Sequence, residues 1–505
     1  MTQLDWFVVA CYSLGMLLVG IYFARRTKTA NEYLLGGRAM RPWAVGLSLF
    51  ATLLSTLSYL AWPGEMIKNG PMILIGYVSY PLVFLVVGWV LIPKIRALEV
   101  TSAYEILEQR LGLSVRLLGS TLFLSLRLLW MASIIFWTTR IVLLPVAGLH
   151  PRHTAACAII LGIITVVYTS LGGLRAVVYT DVVQTLILLS GVLVSLGLIT
   201  SELGGFGGWI PTEWADHWTP PRLWFDFAPE ARSTLANAML GTFSWSVCTA
   251  GADQMAIQRY SATPSIRAAR RTLAISLATE VTVTFLLGCM GLALLAYFTA
   301  RPEQLAEGQT VFDNADKLLP RFVVVGLPPG LSGLVIAGLL AAAMSSLSSG
   351  VNSSATVISE DFIRRFSVRE QTEFSRLRQV RVVSAVVGLS VVVLSSLIGM
   401  VQGNMLEVVY RVVNLFTAPL FYLFFMAIFV PWANTTGTWI GSIAGIATAV
   451  LIAFWKVLFG VQGISFLWIL PGSFAVSVTV GSVASIATRR FAVAHSSNLD
   501  NANTR

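Results

Sequence analysis

The sequence predicts an all-α polytopic membrane protein with about thirteen transmembrane helices. Of its 505 residues, 56% are hydrophobic and only 11% are charged, whereas a water-soluble domain carries about 25% charged residues. The apolar residues also gather in runs of about twenty, the length that crosses the hydrocarbon core as a helix. Parity adds a third observation. Ten of the runs divide into two sets of five, and an odd number forces the second set to enter from the opposite face. That permits an inverted-repeat core with one extra helix before it and two after it.

The first span, 5–24, holds an apolar run from Trp6 to Tyr22 that follows Asp5 and has neither a basic leader nor a small-residue cleavage site. It reads as a retained span, within an N-terminal segment over 1–42, and not as a signal peptide. The first set of five is expected at 43–69, 73–98, 115–148, 154–172 and 181–201, forming a unit over 43–201. A loop over 202–234, with GGFGGWIPTEW and TPPRLW, reads as a cover near the membrane surface. The second set is expected at 235–257, 272–298, 326–358, 382–401 and 404–430, forming a unit over 235–430. Between its second and third helices, 299–325 has room for a short amphipathic helix. Two more helices, 437–459 and 465–488, fill 431–490, and the polar tail 491–505 is expected to be disordered. The runs near 115–148 and 326–358 are long enough to tilt or to extend past the bilayer.

Charge fixes orientation. Of 34 Lys and Arg residues, 23 fall in one alternating set of loops and termini. They include Arg25 and Arg26, Arg96, Arg116, Arg175, Arg259, Arg270, Arg364, Arg376 and Arg489. The opposite loops hold seven, among them Lys68, Arg152, Arg232 and Lys317. The positive-inside rule then puts the N-terminus outside and the C-terminus in the cytoplasm, with the chain in a bacterial inner membrane. The net charge of +10 serves topology and attraction to anionic lipid, so it calls for no nucleic-acid partner. No obligate protein partner is evident. Cys11, Cys157, Cys248 and Cys289 lie in apolar runs without a CxxC, and the four histidines fall in loops or the tail. No HExxH, GxSxG or Walker pattern occurs, so nothing indicates an enzyme.

Charges inside spans are costly and usually functional. Lys456 and Glu407 lie near span ends, where they snorkel. Glu280 reads as two turns into its helix, with an Arg as a possible partner. Asp181, at the start of its span, is either a helix N-cap or a cation ligand. Arg127, Arg140 and Arg411 are candidates for gripping an anionic solute or for structural ion pairs.

The stretch AAAMSSLSSGVNSS, 341–354, sets hydroxyls along one face of a buried helix, because positions i, i+3, i+4 and i+7 align. Ala342, Ser345, Ser346 and Ser349 follow that spacing, with Ser348 beside them. Close packing of small residues is one reading. Two pairs of serines one turn apart favour a cation site, since a hard cation takes several oxygens. Further oxygens come from carbonyls freed where a neighbouring helix unwinds, and FATLLSTLSY, 50–59, is the candidate.

At this point the chain resembles the sodium:solute symporter family. YTSLGGLRA (168–176) with VVYTDVVQ (177–184) looks like its signature, and AGLLAAAMSSLSSGVNSSATVISEDF (337–362) looks like its sodium-binding helix. GADQMAIQRYSA (251–262) is similar to the end of its seventh span. GLSLFATLLSTLSYLAWPGEM (46–66) and LEVTSAYEILEQRLGLSVRLLGS (98–120) look most like the branch for monocarboxylates, vitamins and iodide. The resemblance implies a LeuT-like five-plus-five fold with spans 2 and 7 broken near the solute. It implies Na⁺ as coupling ion, held by backbone oxygens of Ala51, Leu54 and Ala342 and the hydroxyls of Ser345 and Ser346. Some members hold a second sodium, and the matching positions are Asp181, Ser345, Ser348 and Ser349. Solute contacts carry over to Thr52, Ser55, Ser58, Trp245, Asp253 and Gln254, with Arg411 as an anion partner. The expected activity is sodium-coupled import of a small organic solute, carboxylate-bearing above all, by alternating access. A sugar, amino acid or inorganic anion as solute, proton coupling through Asp181, and a transporter-like sensor stand as alternatives. The short stretch after the last span weighs against an appended signalling domain, and the scattered charges do not supply the charged or carbonyl rings of a channel.

Overall fold

The computed structural model describes residues 1–489 apart from 99, 222–224, 307, 309, 314, 368–370 and 399–404, with the side chains of 405–412 also outside the described set. The tail expected over 491–505 lies outside these residues.

The longer helices are α1 (Gln3–Arg26), α2 (Pro42–Leu53), α3 (Thr56–Asn69), α4 (Pro71–Arg96), α5 (Leu113–Ala147), α6 and α7 (the parts 154–172 and 174–202 of Thr154–Glu202), α8 (Leu235–Ala252) and α9 (Gln254–Ala262). They continue as α10 (Ile266–Ala300), α11 (Ala315–Val325), α12 (Leu331–Arg364), α13 (Glu373–Ile398), α14 (Met405–Phe429), α15 (Thr435–Phe459) and α16 (Phe466–Arg489). Among the described residues, nine helices are long and apolar enough to cross a membrane, and the bent pair α2–α3 makes a tenth. The difference from the expected thirteen lies in three places. The expected spans 154–172 and 181–201 belong to one helical run. The span expected at 235–257 is the 18-residue α8 and the 9-residue α9, parted at Asp253. α14 runs over 25 residues, Met405–Phe429, long enough to cross, but only Val413–Phe429 lies among the fully described residues.

The run Thr154–Glu202 has 49 residues and would be about 74 Å long if straight, over twice the hydrocarbon core. Gly173 breaks it, with φ 64° and ψ −164°. Tyr168 donates its hydroxyl to the Met344 carbonyl at 3.0 Å, and Asp181 accepts from Ser345 at 2.7 Å. Residues thirteen apart on a straight helix stand about 20 Å from one another, yet these two reach adjacent residues of α12. The chain therefore doubles back at Gly173. That backbone conformation suits glycine alone, and an added Cβ would meet the Tyr33 ring at 2.7 Å. We expect Gly173→Ala to cost about 2 kcal/mol, read as a lower melting temperature of the detergent-purified protein.

The α2–α3 pair bends by 67°. Leu54 and Ser55 are extended there, and the Ser55 side chain caps α3 by accepting from the Ser58 amide at 3.5 Å. A serine is well suited to this, because it satisfies an amide that the new helix leaves open. The second break, between α8 and α9, is capped the same way: Asp253 is extended and accepts from the Met255 amide at 2.9 Å.

α12 runs through the middle of the bundle, 94% buried in its apolar window. Its small residues allow that. Gly338 faces the α7 backbone at Ile187 and Leu188, and Gly333 lies against the α1 backbone at Asp5. Outward-facing Leu82, Leu85, Trp89, Val386, Val393 and Leu397 give the perimeter an apolar surface suited to lipid.

At one end of α3, the segment 202–234 folds over the helix: Trp218 stacks on Gly70, and Arg232 pairs with Glu65 at 2.6 Å. α11 packs beside it, with Asp316 against Gly64. At the other end of the bundle, Arg116 joins Asp361 and Glu108, each at 2.6 Å, tying the start of α5 to the end of α12.

Candidate solute and cation site

Two adjacent spaces meet at the α2–α3 break. The smaller is a gap of about 180 Å³, including its mouth, between α2, α7 and α12. Ala51, Leu54, Ala342 and Ser345 all line it, with Gln184 and Thr185 of α7. Ser346 stands at the same junction and donates to the carbonyls of Thr52 at 3.1 Å and Leu54 at 3.4 Å. The unwinding of α2 is what frees these carbonyls. The junction thus gathers neutral hydroxyl and carbonyl oxygens, the donor set that hard cations take.

Directly beyond lies a wholly buried polar hub. Asp181 accepts from Ser48 at 2.5 Å, from Ser345 at 2.7 Å and from Ser349 at 3.5 Å. The Arg259 guanidinium, reaching in from α9, pairs with Asp181 at 3.2 Å and donates to Ser349 at 2.6 Å and Ser48 at 2.9 Å. Asp181 sits inside α7 and does not cap it, because the helix resumes straight after Gly173. Ser348 donates instead to the Ser345 carbonyl at 3.0 Å, within its own helix. The structure therefore brings together Asp181, Ser345 and Ser349, with Ser348 turned aside.

The larger space is a cavity of about 970 Å³, including its mouth. Phe50 and Leu54 line it as well as the gap. Ser58 and Trp62 line it from α3, Tyr77 and Tyr80 from α4, and Trp130 from α5. Thr242 and Trp245 of α8, Glu280 and Thr284 of α10, Asn414 of α14 and Phe466 beside α16 complete its polar and aromatic lining.

Of the expected solute contacts, Ser58 and Trp245 line this cavity. Thr52 does not: it is fully buried and donates to Ser349 at 2.8 Å. Ser55 is consumed as the α3 cap. Asp253 faces α5 and forms a buried ion pair with Arg127. The Gln254 amide is tied to the 99–112 segment, accepting from the Ala103 amide at 2.7 Å and donating to the Thr101 carbonyl at 3.0 Å. The Arg411 side chain lies outside the described residues. Arg127 is thereby a structural partner, and Arg140 is exposed beside α6 and α13, away from the cavity. Glu280 stands fourteen residues into α10, deeper than expected, beside the Tyr80 hydroxyl.

Arg259 and Arg116 were both counted among the loop charges, and both are buried. The structure places them on helices, Arg116 in α5 and Arg259 in α9, packed inside the protein, which charge counting cannot register. An acid inside the apolar α7 and an Arg in QMAIQRYSA, next to an apolar run, were the available signal for a pair.

The chain's similarities agree with this geometry. Residues 33–445 match the model of the sodium:solute symporter family. The sodium/sialic acid symporter NanT of Aliivibrio fischeri is 31% identical over 456 residues, covering 89% of this chain and 87% of the relative. The human sodium-coupled monocarboxylate transporter 1 is 31% identical, covering 87% of this chain and 72% of the relative. A solved structure of a Na⁺-coupled sialic acid symporter, substrate-bound and outward-open, superposes with a TM-score of 0.84 at 28% identity, covering 96% of this chain and 98% of that one. Mhp1, a nucleobase-cation-symport-1 transporter, shares the fold at 14% identity with a TM-score of 0.57. This chain belongs to the sodium:solute symporter family, an all-helical group of membrane transporters that carry small solutes with sodium.

Proposed function

We propose that the protein imports a small carboxylate-bearing solute together with Na⁺ by alternating access. The observation that carries this is the sharing of Phe50 and Leu54 between the oxygen-lined gap and the cavity. An ion that orders the α2–α3 break also shapes the wall the solute meets. In this reading Na⁺ takes the carbonyls of Ala51, Leu54 and Ala342 and the hydroxyls of Ser345 and Ser346. A second sodium at Asp181, Ser345, Ser348 and Ser349 would take the place that Arg259 now holds against Asp181. Support for an acid as solute comes from the relatives, named for sialic acid and for monocarboxylates. Ser58 and Trp245 are the cavity contacts carried forward. Arg411, three residues before Asn414 on α14, is the proposed anion partner.

The two broken pairs, α2–α3 and α8–α9, each open one unit of five spans, over 43–201 and 235–430. We place the N-terminus outside and the C-terminus in the cytoplasm of a bacterial inner membrane. The loop asymmetry survives removal of the buried Arg116 and Arg259 from the count. One Na⁺ moving through 100 mV releases about 2.3 kcal/mol, and a tenfold gradient adds about 1.4. Together they sustain a gradient of a few hundred-fold for a solute of no net charge; a monoanion carried with one Na⁺ moves no net charge and draws on the concentration term alone, about tenfold.

The test is uptake into proteoliposomes. Ser345→Ala and Ser346→Ala are each expected to raise the sodium concentration for half-maximal uptake about fivefold, the equivalent of one lost hydrogen-bond-strength ligand, about 1 kcal/mol. Unchanged sodium dependence in both variants removes the assignment.

A further inference from the structure

Glu280 is the one charged residue among the described residues lining the cavity, and carboxylate transport by itself gives it no task. It faces the cavity from α10, which packs against α4. On α4 the Tyr80 hydroxyl lies beside it, and Tyr77 stands a turn earlier. The rings continue along this wall: Trp62 to Tyr77 at 5.9 Å between centroids, and Tyr77 to Tyr80 at 4.9 Å. Two buried polar atoms in the lining, Trp130 Nε1 and Asn414 Oδ1, have no hydrogen-bond partner in the protein. Trp130 and Asn414 come from α5 and α14, which pack on one another. Buried polar atoms normally find partners, and a polar solute that enters here can supply them.

A carboxylate set against an aromatic wall is the chemistry that receives a cationic nitrogen. Its oxygens accept charge-assisted hydrogen bonds from an ammonium, and ring faces attract an alkylammonium. A simple monocarboxylate would bring a like charge toward Glu280 in a space poor in water, where repulsion is only weakly screened.

We propose that Glu280 binds a cationic nitrogen of the transported solute. The solute class is then zwitterionic: a carboxylate that also carries an amino or quaternary ammonium group. Glu280 and the Trp62–Tyr77–Tyr80 wall hold the nitrogen end. The Trp130 indole N–H is a donor for the acid end. This deepens the carboxylate reading above and rests on it.

The experiment uses purified full-length protein in proteoliposomes under an inward sodium gradient. The probes are paired acids of increasing size: acetate and glycine, butyrate and its trimethylammonio derivative, phenylpropionate and phenylalanine. The nitrogen-bearing member of at least one pair is expected to accumulate while its plain partner does not. Glu280→Gln is expected to raise the half-saturating concentration of that solute at least tenfold, and Glu280→Asp by less. The effect of sodium on the melting temperature of the solute-free protein is expected to stay unchanged in both variants, which separates lost recognition from misfolding. Transport of plain acids as well as their partners overturns the proposal and leaves sodium–carboxylate symport standing. Transport of a zwitterion with unchanged affinity in Glu280→Gln overturns it as well. If no acid in the panel accumulates or shifts the melting temperature, the proposal falls together with the carboxylate reading.

Discussion

Replacing Asp181 by Ala is expected to reduce sodium-dependent uptake at least a hundredfold and to destabilise the fold by about 3–5 kcal/mol, the usual cost of removing one partner of a buried ion pair. Asp181 is 0% exposed and accepts from Ser48, Ser345 and Arg259 at once. Without it, the Arg259 charge stays in the core with only hydroxyls and the Met255 carbonyl around it. The Ser345 hydroxyl also loses the acceptor that orients it, and Ser345 lines the gap assigned to sodium. The two losses separate experimentally. In Asp181→Asn with Arg259→Gln the unbalanced charge is gone, and an amide still accepts one bond. The melting temperature is expected to recover most of the way, while the sodium requirement stays raised. Wild-type uptake by Asp181→Ala would show that the hub neither holds the junction nor orders it.

Part of this site was legible in the sequence because it obeys helix periodicity. The serines of α12 fall on one face by spacing alone, and FATLLSTLSY contains the serine that a restarting helix needs as its cap. The misplaced residues fail for a related reason. At a helix break the backbone turns, so residues that share a face on one side do not share it on the other. Thr52 closes α2 and points at Ser349, and Ser55 is used by the cap; Ser58, one turn into α3, reaches the cavity. Asp253 and Gln254 flank the second break, where open backbone groups and a neighbouring helix claim their side chains. The reversal at Gly173 was legible, since the expected spans end at 172 and resume at 181 with Arg175 between them, although the helical geometry of the 49-residue run carries through the turn. Arg259 was the largest omission. Its position just past the expected span 235–257 reads as a loop charge, whereas it lies inside α9 and the tertiary fold turns it inward.

That second break leads to the other large expected effect. Arg127 of α5 is 5% exposed and Asp253 is 3% exposed, and they form an ion pair where α8 gives way to α9. Asp253 has two tasks: its carboxylate meets Arg127, and it caps α9 through the Met255 amide. Arg127→Ala leaves an uncompensated carboxylate buried at the break and is expected to cost about 3–5 kcal/mol. Asp253→Asn keeps the cap, because Asn serves as well there, but it strands the guanidinium. It is expected to cost a similar amount through charge alone. Combining Arg127→Met with Asp253→Asn removes both charges and preserves the cap, so its melting temperature is expected to exceed that of either single variant. The coupling from a double-mutant cycle should then be about 2 kcal/mol or more. Because α8 also carries Trp245 into the cavity, uptake by the single variants should lose maximal rate even in membranes where folded protein is matched. Additive single effects, or single variants that melt with the wild type, would mean that the cap and the packing around it hold the break without this pair.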